Sequence, residues 1–415
     1  MLSTRTIVSS IGILFSGTLA ARLLSMLSII IITRSVGPDQ FGLYAASLAL
    51  AKITSIVFSL GMSDWLLRNG NLKAQSIGLP ERLTGSLVVQ FSLGLVWLGL
   101  LSATAPHLDI AVYPTTLLLI VAITVWLEEL VFTALTAFKV ALDNRVTARL
   151  MIILQLLNLG PLILLMILET NTVTPFIIAR GITTIFGAVG GIFFAFRRFS
   201  FRLHKTTILQ SLRETMPFAA SMALVLLYER VDVTIIAGSL GQEAAGLYAP
   251  AVSLVLALTL APAAIHGVMV PTMSRLFIEN VKTLPGIATR SIIWSALLGL
   301  FLGGGLAIGS RPLTFLLYGP DYGPLVDILI ILSGVLFLRT VSFGLAAIIV
   351  TVGLQNMRVI AQAAAALSNI VFNLLIVKEY GISGVAFVYC LSETILMLGY
   401  ALIVVKWLRT IRNTP

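Results

Sequence analysis

The sequence predicts an all-α polytopic membrane protein, with twelve transmembrane helices in two six-helix lobes and both termini in the cytoplasm. Three observations predict it. The 415 residues are 58% apolar and only 11% charged, with a mean hydropathy of +1.04, whereas soluble domains carry roughly 25% charged residues. The apolar residues gather in helix-length runs that do not alternate, so helices rather than barrel strands are the spanning element. A loop signature also occurs twice: Gly37-Pro38-Asp39-Gln40-Phe41-Gly42-Leu43-Tyr44-Ala45 is matched in register, half a chain later, by Gly241-Gln242-Glu243-Ala244-Ala245-Gly246-Leu247-Tyr248-Ala249.

A helix needs about 20 mostly apolar residues to cross the hydrocarbon core. The first run, 8–33, follows Arg5 and is too long for the ~7–15-residue core of a signal peptide, so it is expected to stay as the first span. The second, 41–62, follows the first loop signature, and a polar connection from Ser63 to Arg82 separates it from the third, 83–104. Runs at 112–138, 146–168 and 173–196 complete a first six. The basic stretch from Arg197 to Leu212 falls midway, and 214–239, 246–276, 287–310, 325–351, 358–377 and 383–407 make the second six. The expected domains are an N-terminal lobe over 1–200, a cytoplasmic linker over 201–212 and a C-terminal lobe over 213–415. Six is even, so both lobes cross in the same sense, as parallel repeats. A weaker internal match pairs Leu142-Asp143-Asn144 with Leu354-Gln355-Asn356.

A net charge of +10 would suit nucleic acid if it were clustered, but the positive residues sort by topology instead. Most of the 27 Lys and Arg, among them Arg68, Lys73, Arg82, Lys139, Arg145, Arg149, Arg197, Arg198, Lys282 and Arg290, fall on one set of connections; the other set holds only Arg34, Arg311 and Lys378. The positive-inside rule puts the first set, and both termini, in the cytoplasm, and no nucleic-acid partner is expected. The single cysteine, Cys390, lies in an apolar run and reads as a packing residue. His107, His204 and His266 have no metal-ligand spacing, and no Gly-x-x-x-x-Gly-Lys-Ser/Thr loop is present, so neither a metal site nor an in-chain ATP motor is expected. No outer loop is large enough for the catalytic residues of a glycosyltransferase or polymerase, which argues against an enzyme.

Charges inside the spans point to function. A charge at the bilayer centre costs about 2.5–3.5 kcal/mol on insertion scales, so such residues face a wet cavity, a partner or a substrate. Arg22, Lys52, Arg230 and Arg339 fall near the midplane, two from each half, and Arg180 lies nearer the outer end. The acids are Glu128 and Glu129 in span four, Glu229 and Asp232 in span seven and Glu393 in span twelve. One reading makes all of these structural ion pairs. Against it, Glu229 and Asp232 share a helical face from which Arg230 points away, and Arg22, Lys52 and Arg339 have no acid within a turn of their own helix. Converging from both halves, the cations would make a chamber for an anionic solute or head group, because guanidinium forks bind phosphate oxygens in pairs. Pro250, Pro262 and Pro271 in span eight and Pro161 in span five each remove a backbone donor, which makes Pro262 and Pro161 hinge candidates. Gly187-xxx-Gly191, Gly299-xxx-Gly303 and Gly305-xxx-Gly309 are expected to pack helices closely.

A series of motifs then sets a resemblance. Ser16-Gly17-Thr18 with Arg22 leads to Arg34 through Tyr44; Met216-Pro217-Phe218 and Tyr228-Glu229-Arg230-Val231-Asp232 lead to the Gly241 to Tyr248 loop. Pro271-Thr272-Met273-Ser274, Leu317-Tyr318-Gly319-Pro320-Asp321-Tyr322 and Tyr380-Gly381-Ile382-Ser383-Gly384-Val385-Ala386 follow. In this order, nearly end to end, the chain resembles the polysaccharide-transport flippases of the MOP exporter superfamily. The resemblance implies a MATE-like fold in the bacterial plasma (inner) membrane. It implies movement of undecaprenyl-diphosphate-linked oligosaccharide repeat units from the cytoplasmic to the outer leaflet, for O-antigen, capsule or exopolysaccharide, beside a polysaccharide polymerase and chain-length proteins. The diphosphate would meet Arg22, Lys52, Arg230 and Arg339, with Arg180 near the exit. No cofactor is implied beyond a coupling proton or sodium ion, with Asp232, Glu229 and Glu393, then Glu128 and Glu129, as its candidate carriers. Three alternatives stand beside this. A drug-type cation exporter is opposed by four midplane basic residues, and the lipid II flippases usually have two further C-terminal helices. A non-transporting subunit of a polysaccharide complex would hold its buried charges for structure alone.

Overall fold

The structure, a computed structural model, describes residues 4–70, 78–279 and 284–412; Lys73 and Lys282 of the expected inner connections lie outside them. Thirteen α-helices carry the described residues: α1 (Thr4–Thr54), α2 (Ile56–Ser59), α3 (Met62–Asn69), α4 (Leu79–Thr104), α5 (Thr115–Val140), α6 (Asn144–Ile167), α7 (Val173–Phe199), α8 (Lys205–Leu240), α9 (Gln242–Leu258), α10 (Leu260–Glu279), α11 (Leu284–Leu317), α12 (Leu325–Thr351) and α13 (Gln355–Arg412). No strand occurs among the described residues. Nine helical stretches among them are long and apolar enough to cross a membrane, and the protein is a multi-pass membrane protein.

Every expected run lies on one or two of these helices, to within a few residues at its ends. Two pairs of runs are fused. Run one and most of run two lie on the 51-residue α1, with run two continuing on α2, and runs eleven and twelve lie on the 58-residue α13. A straight helix of 51 residues would extend about 77 Å, more than twice the ~30 Å hydrocarbon core. The interruption comes at one residue in each: Gly37 (φ 74, ψ 172) and Gly381 (φ 59, ψ −153). Gly241, which stands in the second signature where Gly37 stands in the first, has nearly the same backbone, φ 91 and ψ 178, between α8 and α9. Only glycine visits this region without strain. Pro38 follows Gly37 directly, at the start of the next helical segment, where its missing N–H costs nothing.

The chain divides into two compact units, Met1–Gly246 and Leu247–Pro415. In the first, α5 is central: it packs on α1, α3, α4, α6 and α7, and α8 packs on α1 and α4. Gly94 lets the Trp126 ring lie against α4, where the indole N–H donates to the Gln90 carbonyl at 3.2 Å. Gly61, at φ 64, lets the start of α3 approach the Phe218 backbone of α8, which a Cβ would meet at 2.8 Å. In the second unit, α12 lies between α11 and α13, over a core that includes Met273, Leu345, Ile348, Tyr400 and Val404.

The small-residue stripes divide. Gly303 faces the Ser333 carbonyl of α12, where a Cβ would lie 2.8 Å away, and Gly299 faces that of Phe337 at 3.0 Å, so this pair brings two backbones together. Gly187 makes room for Leu154 of α6. Gly305 and Gly309 do not serve as expected: among the described residues a Cβ at Gly305 would meet nothing within 4 Å, and one at Gly309 would meet only Leu313 of its own helix. Run eight is broken at Thr259, three residues before Pro262, and Pro161 lies inside the unbroken α6.

Candidate intramembrane charged site

Three helices of the first unit bring half-buried charges together. α5 carries Glu128 and Glu129 side by side, α1 brings Lys52 and α7 brings Arg180. The Lys52 Nζ lies 3.4 Å from Glu128 Oε2 and 3.3 Å from Glu129 Oε1. Arg180 Nη2 donates to Glu128 Oε1 at 2.7 Å, and its guanidinium lies within electrostatic reach of the Tyr44 hydroxyl. Glu128 is thus held between two cations and Lys52 between two carboxylates, the arrangement that charge inside a low-dielectric span requires. These side chains border a cavity of about 280 Å³, whose polar wall continues through Ser25, Gln155, Asn158 and Thr183. Thr183 closes one side, bonded to the Asn158 side chain.

Arg230, on α8, is half-buried and within electrostatic reach of Lys52. Arg22 is exposed on α1, within reach of Lys139 at the end of α5. Neither makes an ion pair among the described residues. On the same helix as Arg230, Asp232 is buried and Glu229 half-buried.

The second unit holds a separate pair. Arg339, on α12, donates to the Tyr389 hydroxyl at 2.8 Å and lies 3.7 Å from the carboxylate of Glu393, which is 0% exposed. Tyr389 and Glu393 are four residues apart on α13 and share one face. Cys390 between them donates its S–H to the Ile331 carbonyl at 3.1 Å.

The four cations expected at the midplane therefore fall into two kinds. Lys52 and Arg339 have no acid within a turn on their own helices, yet each meets a carboxylate from another helix, as the structural ion-pair reading has it, while Arg22 and Arg230 make no ion pair among the described residues. Arg180 is paired as well, and Glu128, Glu129 and Glu393 are the partners. Arg22 and Arg230 stand apart. Sequence reasoning missed Tyr44, within electrostatic reach of the half-buried Arg180, and Tyr389, whose hydroxyl accepts from the half-buried Arg339. Tyr44 had a signal in the repeated loop, and Tyr389 had one in its spacing from Glu393. Among the described residues, no group of three or more His, Cys, Asp or Glu is placed to hold a metal ion.

Comparison with known proteins adds to this geometry. Residues 7–277 match a family described as polysaccharide biosynthesis protein. The capsular polysaccharide biosynthesis protein CapF of Staphylococcus aureus is 25% identical over 215 residues, 49% of this chain and 52% of that protein, so the chain spans about half the length of the curated relative it matches. Among solved structures, the lipid II flippase MurJ in an inward closed conformation aligns with a TM-score of 0.77 at 15% identity, covering 94% of this chain and 87% of that one. An inward-facing multidrug resistance MATE family transporter of the MOP superfamily aligns with a TM-score of 0.73 at 12% identity, covering 95% and 96%. At these identities the likeness shows a shared fold, that of membrane transporters and flippases.

Proposed function

The chain belongs to the polysaccharide biosynthesis protein family, and on that premise we propose that it flips undecaprenyl-diphosphate-linked oligosaccharide repeat units from the cytoplasmic to the outer leaflet of a bacterial inner membrane by alternating access. In this reading the chain crosses the membrane twelve times, as two six-helix lobes with both termini in the cytoplasm, and hands its cargo to a polymerase and chain-length proteins. The observation that carries it is Arg230, a half-buried guanidinium within electrostatic reach of Lys52 that has no ion pair among the described residues. Such a group in a span is stabilised by an anion, and a diphosphate offers paired oxygens to its fork. Arg22 is the second cation with no ion pair among the described residues and would meet the same head group.

The paired cations give the coupling. A diphosphate that approaches Arg230 competes for Lys52, and as Lys52 turns toward phosphate, Glu129 loses its counter-ion and takes up a proton. Proton uptake and cargo binding would then be linked through one ammonium group. Arg339 and Glu393 would do the same in the second unit, and sodium could take the proton's place.

The test is leaflet exchange in vesicles holding the purified protein and a fluorescent undecaprenyl-diphosphate oligosaccharide. Exchange above protein-free vesicles, lost in Arg230→Ala, supports the proposal; exchange equal in the two ends it. A second reading, a non-transporting subunit, is favoured by the ion pairs that tie α1, α5 and α7 together. It predicts no exchange by any variant, with full recruitment of the polymerase. A drug-type exporter would instead move organic cations, and lipid II exchange in the same vesicles would redirect the substrate within the proposal.

A further inference from the structure

At the end where α5 finishes and α6 begins, a groove of about 500 Å³ opens away from the charged site. Its rim carries Arg149 on α6 and Arg197 and Arg198 on α7, all exposed, with Asp143 as the one acid. The three arginines make no ion pair among the described residues. Below them the wall is apolar: Ile153 and Phe194 are 49% and 51% exposed.

The spacing orders the groove by depth. Arg149 and Ile153 are four apart on α6, and Phe194 and Arg198 four apart on α7, so each helix sets a guanidinium directly above an apolar residue. α6 starts and α7 ends at this edge, which puts the charged rim at the membrane surface and the apolar wall one turn into the hydrocarbon. The opposite ends of the same helices carry Asp109 and Glu169 in their connections and no Lys or Arg, so the basic character belongs to one surface of the bilayer.

A rim of net charge +2 above an exposed apolar cleft is complementary to a molecule with an anionic head and a hydrocarbon tail. We propose that this groove binds an anionic membrane phospholipid, with its phosphodiester against Arg149, Arg197 and Arg198 and one acyl chain along Ile153 and Phe194. Basic pockets between transmembrane helices on the cytoplasmic side recognise such head groups. The site is separate from the Lys52 cavity and does not depend on what that cavity carries.

The test uses the purified full chain in micelles, titrated with phosphatidylglycerol or with phosphatidylcholine of the same acyl chains, and native mass spectrometry to count retained lipids. Wild type should retain phosphatidylglycerol in clear excess, and each arginine removed should weaken it about fivefold. The variant Arg149→Gln/Arg197→Gln/Arg198→Gln should retain the two lipids equally. An unchanged excess in that variant overturns the proposal. So does displacement of phosphatidylglycerol by an equal concentration of inorganic phosphate, which would mark a simple anion site, or tighter retention of undecaprenyl diphosphate than of phosphatidylglycerol, which would mark a substrate vestibule. If the triple variant does not purify as a single species, Arg149→Gln alone and the Arg197→Gln/Arg198→Gln pair, read by the same ratio, decide the matter.

Discussion

Gly42 and Gly246 pack on each other backbone to backbone, and the contact is reciprocal. A Cβ on Gly42 would lie 1.8 Å from the Gln242 carbonyl oxygen and 3.1 Å from the Gly246 nitrogen; one on Gly246 would lie 1.8 Å from the Pro38 carbonyl oxygen and 2.8 Å from the Gly42 nitrogen. Pro38 and Gln242 are themselves equivalent in the two loop signatures, so each copy presents to the other the surface it receives. At the rim, Gln242 Nε2 donates to Asp39 Oδ1 at 3.1 Å.

This contact leaves no space for a methyl group. Gly42→Ala and Gly246→Ala should each destabilise by about 1–3 kcal/mol, the range for forced overpacking, and should do so to a similar extent. Thermal unfolding in detergent checks it; a melting temperature unchanged in either variant would mean that the loops do not touch in this way.

Removing one partner of the half-buried cluster should cost more than removing two. Lys52→Met leaves Glu129 without its cation and should cost about 3–5 kcal/mol. The double variant Lys52→Met/Glu129→Gln should recover part of that loss, because the stranded charge is gone. A double-mutant cycle on unfolding isolates the coupling, and strict additivity would contradict the ion pair.

The second unit allows a graded comparison. Tyr389→Phe removes one hydrogen bond to a charged group and should cost about 1.5–3 kcal/mol. Glu393→Gln removes the buried carboxylate 3.7 Å from Arg339 and should cost about 3–5 kcal/mol. Equal losses, or a larger loss for Tyr389→Phe, would assign the stabilisation to the hydroxyl rather than the carboxylate.

Arg22 and Arg230 should behave in the opposite manner to Lys52. With no ion pair to break among the described residues, Arg22→Ala and Arg230→Ala should alter stability by under about 1 kcal/mol. Under the proposed function, each should slow leaflet exchange about tenfold or more, the worth of one charge-assisted bond to phosphate. A variant that unfolds while its exchange per folded molecule is unchanged would move that arginine to the structural group.

Much of the fold was legible because the bilayer sets a fixed length and hydrocarbon tolerates little charge: the apolar runs and the helices coincide. What was not legible was geometry that hydropathy does not register. Nothing in the apolar character of 8–33 and 41–62 says that one residue, Gly37, suffices between them. The pairing of Lys52 with Glu128 and Glu129, and of Arg339 with Glu393, joins residues far apart in the chain, while periodicity reports only neighbours on one helix. The stripes show the same limit, since Gly299 and Gly305 have the same spacing to their partners and only the first faces a neighbouring helix.

The paired torsions at Gly37 and Gly241 leave a trace that outlasts sequence drift. Lipid-facing side chains can exchange freely among Leu, Ile, Val and Phe, and any ancestral likeness between the two halves fades with each exchange. A peptide unit that tolerates no Cβ is exempt from that erosion. Whatever else changes along the chain, the backbone holds these two positions of the repeated signature to glycine.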